Sequence, residues 1–305
     1  MKLLITGASG LLGLNLALEA MPAHDVVAVD RGKLANTPFG IVKADLLTPG
    51  AVDSILDAAR PDGLIHCAAL ANLEACEQNP ELARRLNAHL PGQLAAACRR
   101  RGISMVHIST DAVFDGQKEG AYTEEDEPNP LGVYAQTKLD GERAVLDANP
   151  DAVVARVNFY GWSPSGARSL AEFFFNNLSN KKPMSGFTDV IFCPMQVNHL
   201  AQTLLSILEK RLSGVYHSVG PQAMSKYQFG VEIARKFGFP EDEISQKSIL
   251  SSNLTARRAH NLWLSTHKLS TDLGQPLPDF STGLNLFYTQ HRQGYPQKIR
   301  SYQQV

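Results

Sequence analysis

The stretch Lys2-Leu3-Leu4-Ile5-Thr6-Gly7-Ala8-Ser9-Gly10-Leu11-Leu12-Gly13 decides the fold. Its apolar run is too short for a buried helix and reads as a parallel-sheet strand, after which Leu11 to Ala20 takes up helical spacing. The glycines therefore sit at a strand-to-helix turn. Lacking a Cβ, Gly7, Gly10 and Gly13 permit the tight bend and let backbone approach a pyrophosphate, whose charge the free N–H groups of the helix start stabilise. Ser9, Leu11 and Leu12 complete that turn as candidate contacts. A second strand, Asp25-Val26-Val27-Ala28-Val29, follows and ends in Asp30, which is the context a dinucleotide-binding turn requires. Strand and helix patterns alternate to about Val157, so the expected fold is α/β, a doubly wound parallel sheet of the Rossmann kind with helices on both faces.

Asp30 can accept hydrogen bonds from adenosine ribose hydroxyls and would repel a 2′-phosphate, which favours NAD(H). Arg31 beside it can pair with the same phosphate and admit NADP(H). NAD(H) is the first expectation, with NADP(H) kept open.

Far downstream lies Tyr134-Ala135-Gln136-Thr137-Lys138. Residues four apart share a helix face, so Tyr134 and Lys138 can converge on one bound group. A phenol of ordinary pKa about 10 is a poor acid or base at neutral pH unless a cation stabilises its phenolate, and Lys138 can supply one. Taken alone, the pair is a common helix-surface arrangement. Ile108-Ser109-Thr110-Asp111 changes its meaning, because it ends the apolar strand that starts at Ser104, and strand ends face the ligand crevice of such sheets. There the Thr110 hydroxyl can hold a substrate carbonyl while Tyr134 delivers a proton and hydride arrives from a nicotinamide. The plainer reading of Thr110 is a hydroxyl that caps local backbone.

With these residues assembled, the chain resembles the extended short-chain dehydrogenase/reductases, and within them the dTDP-4-dehydrorhamnose reductase group. The resemblance rests on Thr6 to Gly13, His66-Cys67-Ala68-Ala69 through Glu74, Asn79-Pro80-Glu81-Leu82-Ala83 and Asn87. It continues through Ser109-Thr110-Asp111-Ala112-Val113-Phe114-Asp115-Gly116, Tyr122, Glu124, Pro128-Asn129-Pro130-Leu131 and the Tyr134/Lys138 pair. It implies that Thr110, Tyr134 and Lys138 are the catalytic set, that Asp45 beside Leu46 lies at the adenine, and that Ala68 and Ala69 line the cofactor. Asn87 and Ser109 are expected at the cofactor as well, Asp111 and Asn158 at the substrate. The stretch Arg156-Val157-Asn158-Phe159-Tyr160-Gly161 is expected near the nicotinamide.

The departures are as informative. Related dehydratases carry a glutamate two residues after the threonine, where this chain has Ala112, so water elimination is not expected. A substrate-covering Asp-Gln-x-Gly-Ser-Pro-Thr-like segment is replaced by Asp189-Val190-Ile191-Phe192-Cys193-Pro194-Met195, which keeps only the Asp and the Pro and leaves the sugar unspecified. Arg257-Arg258-Ala259-His260-Asn261 resembles the family's late Arg-Pro-x-Asn segment, with Arg258 as arginine and Ala259 in place of proline. Arg258 either pairs with a nucleotide diphosphate or forms a surface ion pair.

The same catalytic set would serve an NAD-retaining sugar-nucleotide epimerase or a sugar dehydrogenase. Relatives of the group, the methionine adenosyltransferase beta subunits, keep the nucleotide fold but act through a partner enzyme. Retention of all three catalytic residues argues against that non-catalytic role.

The 305 residues, 44% of them hydrophobic, are enough for one large doubly wound domain with a smaller lobe. We expect a dinucleotide-binding domain over 1–161, and over 162–305 mainly a substrate lobe, with some segments returning to the first domain. A net charge of −1 excludes an electrostatic nucleic-acid binder, while a local basic patch could still take an anionic nucleotide sugar. Cys67, Cys76, Cys98 and Cys193 form no CxxC pair, so reduced thiols and a cytoplasmic location are expected. The nine histidines show no metal-binding spacing, and no metal is expected. Met1 leads directly into the first strand, and no apolar run would span a membrane.

In the second half, Phe173-Phe174-Phe175 lies on a helical run and reads as core. Val197 to Leu212 and Ser225 to Phe237 read as helices, and Gly214 to Gly220 as a strand and turn. The tail from His291 to Val305 lacks periodicity and either wraps the lobe or mediates association, for which a homodimer is the simplest form.

Overall fold

Strand β1 (Lys2–Thr6) sends alternate side chains into two cores, Leu3 and Ile5 to one face and Leu4 to the other. The computed structural model describes residues 1–32, 34–251 and 257–303. Beside β1 run β2 (Asp25–Asp30), β3 (Gly40–Lys43), β4 (Gly63–His66), β5 (Ser104–Thr110) and β6 (Val153–Val157). Among the described residues these join a seventh strand, Gly214–Ser218, in one parallel sheet of order Gly214–Ser218, β6, β5, β4, β1, β2, β3. The order reverses between β1 and β4, and beyond the carboxyl ends of those strands the crevice for a ligand opens.

The Leu11–Ala20 helix packs on one face against the Val197–Glu209 helix, which buries Val197, Leu200, Ala201, Leu204 and Leu208 there. The helices Ala51–Ala59, Leu90–Arg101 and Val133–Ala148 cover the other face. The Val197–Glu209 helix, the Gly214–Ser218 strand and the His267–Leu273 helix are thus the segments that return from the second half to the first sheet. Their burial explains why: an unpaired edge on β6 and a bare apolar face on Leu11–Ala20 would otherwise meet water.

The stretch from Pro80 to Arg101 is helical throughout but contains a π turn over Arg85–His89. That turn carries Asn87, whose side chain donates to the Leu70 carbonyl and accepts from the Leu70 N–H, tying down the loop that leaves β4. Gly102 ends the helix with φ of +66°, and the cationic Arg99, Arg100 and Arg101 fill its last turn.

The second half is held by aromatic residues. Trp162 stacks on Phe287 with ring centroids 4.0 Å apart and donates its Nε1–H to the Phe287 carbonyl. Of the expected core triplet, Phe174 is buried and Phe175 packs against the same core, but Phe173 is 44% exposed. The segment expected over the substrate forms the short strand Ile191–Phe192, between an antiparallel Met224–Ser225 and a parallel Asn261–Leu262. The tail docks on its own first half: the Tyr295 hydroxyl donates to Asn15, and Ala35 N donates to the Tyr302 carbonyl. Its last two residues, Gln304 and Val305, lie outside the described residues.

Candidate active site

Two cavities adjoin at Ala71. The larger, about 610 Å³, runs along the crevice between β1 and β4. The smaller, about 280 Å³, lies between the end of β5, the start of the Val133–Ala148 helix and the short strands of the second half.

Gly7 has φ of +69°, and a Cβ there would sit 2.7 Å from the Ala68 backbone; a Cβ on Gly13 would sit 2.2 Å from the Gly7 carbonyl oxygen. The close approach of turn, helix and β4 therefore admits glycine alone. Gly10 is the N-cap and offers no side-chain cap, so the first-turn N–H groups remain for an anion. The Leu11 and Leu12 side chains are buried in the core, which leaves their backbone as the part that can serve the cleft. Asp30 is held at its edge: its Oδ2 accepts from Ser9 N at 3.1 Å and its Oδ1 from Gly32 N at 2.9 Å. Gly7, Ser9, Gly10, Asp30, Arg31, Asp45, Leu46, Ala68 and Ala69 all line this cavity. A backbone cradle, a strand-end carboxylate and an apolar far end suit a dinucleotide.

Two expected cofactor residues spend their side chains elsewhere. Asn87 holds Leu70 and the Thr137 hydroxyl. Ser109 points to the opposite face of β5 from Thr110 and donates to Glu142 Oε1 at 2.5 Å. Glu142 in turn pairs with the buried Arg156, at 2.8 Å between Nη2 and Oε2. Both residues brace the helix that carries Tyr134, and the sequence pattern alone does not distinguish bracing from contact.

Tyr134 opens that helix, where Val133 N donates to Glu77 Oε1. Burial pushes its phenol up to about 12, against the lowering effect of a hydrogen bond with Thr110. At neutral pH it is a protonated donor. The Thr110 hydroxyl accepts from Ala112 N and donates to Asp111 Oδ1, each at 3.2 Å, so it does cap the strand end and also stands beside Tyr134.

Lys138 is buried on the same helix face. Its Nζ donates to the Ile108 carbonyl at 2.5 Å and lies 3.3 Å from His107 Nε2. Burial lowers the ammonium to about 8. Burial also holds His107 well below its ordinary value, neutral and able to accept. The Lys138 ammonium is thus directed at the end of β5 rather than onto the Tyr134 phenol, and no lowering of Tyr134 by Lys138 accompanies this arrangement.

The smaller cavity is lined by Thr110, Tyr134, Asp111, Asn158 and Arg258, as expected, and also by Lys226, Arg257, Phe159 and Phe192. Asn158 Nδ2 donates to Asp111 Oδ2 at 2.5 Å. Burial raises the Asp111 carboxyl to about 6, although Asn158, Thr110 and the charge of Lys226 pull the other way. Arg258 lies 3.5 Å from Glu74, a loose pair at the rim, so both readings of this residue hold: it has a carboxylate neighbour and it faces the cavity. Lys226 has no place in the sequence motifs, and Arg257 was passed over there in favour of Arg258. The first left a signal, since a lysine opening a helix with a Ser225/Gln228 capping box opposes the helix dipole.

Among the described residues no group of His, Cys, Asp and Glu is placed to hold a metal ion, and no helix is long and apolar enough to cross a membrane. Cys67, Cys76, Cys98 and Cys193 are all free.

A doubly wound sheet with a glycine turn at its switch point and a Thr-Tyr-Lys set beside it defines a nucleotide-binding oxidoreductase of the extended short-chain type. Residues 1–293 match the RmlD substrate binding domain, and the chain belongs to that family. A Haloferax volcanii protein named "Probable low-salt glycan biosynthesis reductase Agl14" is 32% identical over 285 residues, 92% of this chain and 95% of its own. Methionine adenosyltransferase 2 subunit beta of Mus musculus is 34% identical over 293 residues, 93% of this chain and 86% of its own. A solved dTDP-4-dehydrorhamnose reductase from Bacillus anthracis, in complex with NADP, matches with a TM-score of 0.84 at 25% identity over 95% of this chain and 99% of that one.

Proposed function

We propose that the protein is an NAD(P)H-dependent reductase that converts the keto carbon of a nucleotide-activated sugar to an alcohol, in the manner of dTDP-4-dehydrorhamnose reductases. The observation that carries this reading is the position of Thr110 and Tyr134 in a cation-lined cavity that adjoins the glycine-turn cleft. Bound nicotinamide supplies the hydride. As the carbonyl carbon accepts it, the C=O electron pair moves to oxygen, and that oxygen takes the Tyr134 proton. A phenol raised by burial is a weak acid, but an alkoxide is a far stronger base, so the transfer runs downhill. Thr110 turns its hydroxyl from Asp111 to hold the carbonyl oxygen. Lys138 is proposed to turn its ammonium from the Ile108 carbonyl to the nicotinamide ribose.

Arg258, Arg257 and Lys226 are proposed to hold the diphosphate, with Asp111 and Asn158 directed to the sugar. The first domain, 1–161, would bind the dinucleotide and the remainder mainly the sugar nucleotide. The NADP complex of the Bacillus anthracis relative supports NAD(P)(H) as the cofactor, and Asp30 is the residue that favours NAD(H) within that pair. An epimerase or a sugar dehydrogenase would use the same residues and differ in whether oxidised cofactor is kept or released.

A second reading is favoured by one observation, the 34% identity to a methionine adenosyltransferase beta subunit: a regulatory subunit that binds nucleotide without turnover. The discriminating experiment is a thermal-shift screen of a keto-sugar nucleotide panel with cofactor present, followed by product analysis of every stabilising pair. Stabilisation with an alcohol product supports the reductase. Stabilisation by cofactor alone, with no sugar nucleotide binding, supports the regulatory subunit.

A further inference from the structure

Three neighbouring strands place one polar residue each in a single row, on the sheet face that the Val133–Ala148 helix covers. Thr6 ends β1, His66 ends β4 and His107 lies in β5, and the register pairs Thr6 with His66 and His66 with His107. All three are fully buried, and Lys138 at the end of the row is nearly so. His66 Nδ1 lies 2.6 Å from the Thr6 hydroxyl, which also accepts from Ala68 N at 3.3 Å. The His66 and His107 rings stack, with centroids 5.4 Å apart and planes 23° from parallel. His107 Nε2 then lies 3.3 Å from Lys138 Nζ. The row leads from the residue before the glycine turn, across three strands, to the lysine.

Such a row carries a penalty. His66 Nε2 and His107 Nδ1 are buried with no hydrogen-bond partner among the described residues, and apolar side chains at both positions would avoid that loss. Burial and the charge of Lys138 push His66 down to about 3 and hold His107 well below its ordinary value, so both rings are neutral and the charge of the row sits on Lys138. An ammonium has donors and no acceptor, so His107 Nε2 accepts from it and the ring proton sits on Nδ1. Lys138 gives one donor to His107 and one to the Ile108 carbonyl, and has a third. When the ammonium turns from Ile108 toward a ribose, the imidazole is the acceptor that it keeps. Stacking on His66, which Thr6 fixes in turn, holds that imidazole still.

We propose that His107 is a positioning residue for Lys138: its Nε2 is the fixed acceptor about which the ammonium turns between the Ile108 carbonyl and the nicotinamide ribose, and His66 with Thr6 locks the ring in the orientation this requires. The proposal rests on the reductase reading for what Lys138 serves.

Two measurements test it without turnover, so its failure and that of the reductase reading are told apart. The groups that face Lys138 are His107 from β5, His66 from β4, Cys67 just after β4, and Tyr134 and Glu142 from its own helix; Glu142 and Cys67 raise the ammonium against the lowering by burial. In the full chain with isotope-labelled lysine, the magnetic resonance signal that is lost in Lys138→Met should titrate near pH 8. His107→Phe keeps a ring and removes the acceptor, and should move that titration down by about one pH unit or more, since a charge-assisted bond is lost. His107→Gln restores an acceptor and should recover most of the shift. An unmoved titration in His107→Phe, or an equal shift in His107→Gln, would overturn the proposal. Because His107→Phe can fail to fold, the second measurement uses unaltered protein: the nitrogen chemical shifts of its histidine rings should show His107 neutral with its proton on Nδ1, both before and after NADPH is added. A proton on Nε2 in either state would turn a donor toward the ammonium and overturn the proposal.

Discussion

The two adjoining cavities are made of different material. The dinucleotide cleft is largely backbone and small residues, Gly7, Gly10, Ala68 and Ala69, set by one strand-turn-helix unit and the neighbouring strand end. The smaller cavity is made of side chains, Lys226, Arg257, Arg258, Phe192, Asp111 and Tyr134. A three-stranded sheet joins its remote parts: pairing of Met224–Ser225 and Asn261–Leu262 with Ile191–Phe192 brings Lys226 and the Arg257/Arg258 pair beside Phe192. Backbone cradles are tied to local geometry and tolerate little change. Side-chain cavities on short strands can change their ligand one residue at a time.

That contrast yields predictions of graded size. The largest effect belongs to the smaller cavity. Tyr134→Phe keeps the ring and removes the proton, so turnover should fall on the order of 10²-fold or more with dinucleotide affinity nearly unchanged, read by steady-state kinetics and cofactor titration. A comparable loss in cofactor binding would mean that the phenol belongs to the cleft rather than to the reaction.

Arg258→Ala should raise KM for the sugar nucleotide about tenfold to a hundredfold and leave cofactor affinity alone. Equal effects on both ligands would erase the division between the cavities. Glu172→Leu strands the donors of Ser163, Arg168 and Ser169 without an acceptor, and should cost about 3 kcal/mol in urea unfolding.

The smallest effect is a pH dependence at Asp111. Its folded-state carboxyl is raised to about 6 from an ordinary 3.8, so between those values the folded protein binds the extra proton and the unfolded chain does not. Stability contributed by this group therefore increases as pH falls from about 6 to about 4, and at neutral pH the buried charge costs about 3 kcal/mol or less. Asp111→Asn should flatten that part of the stability profile. An unchanged profile would show that the neighbouring Lys226 neutralises the carboxylate fully.

Much of the first cavity was legible because its determinants are local. The Leu11–Ala20 helix and Asp30 at the end of β2 follow from apolar spacing and turn residues, and the structure has them there. Asn87 and Ser109 show the limit, since a family motif marks position without saying which way a side chain points. Lys226 was missed because nothing local connects it to Thr110; register in a short sheet does. Arg257 was passed over because the family segment marks a single arginine, which falls on Arg258. The Ser169/Glu172 capping box starts a helix, and the fold places that start against the glycine turn.

The central claim is hydride transfer to a keto-sugar nucleotide with Tyr134 as proton donor, and isotope transfer tests it most directly. Incubation with NAD(P)H deuterated at the transferable position and a panel of keto-sugar nucleotides, dTDP-4-dehydrorhamnose included, should give an alcohol carrying deuterium on the former carbonyl carbon, and Tyr134→Phe should give almost none. Tight cofactor binding with no deuterated product from any member of the panel would contradict the account and favour the regulatory-subunit reading.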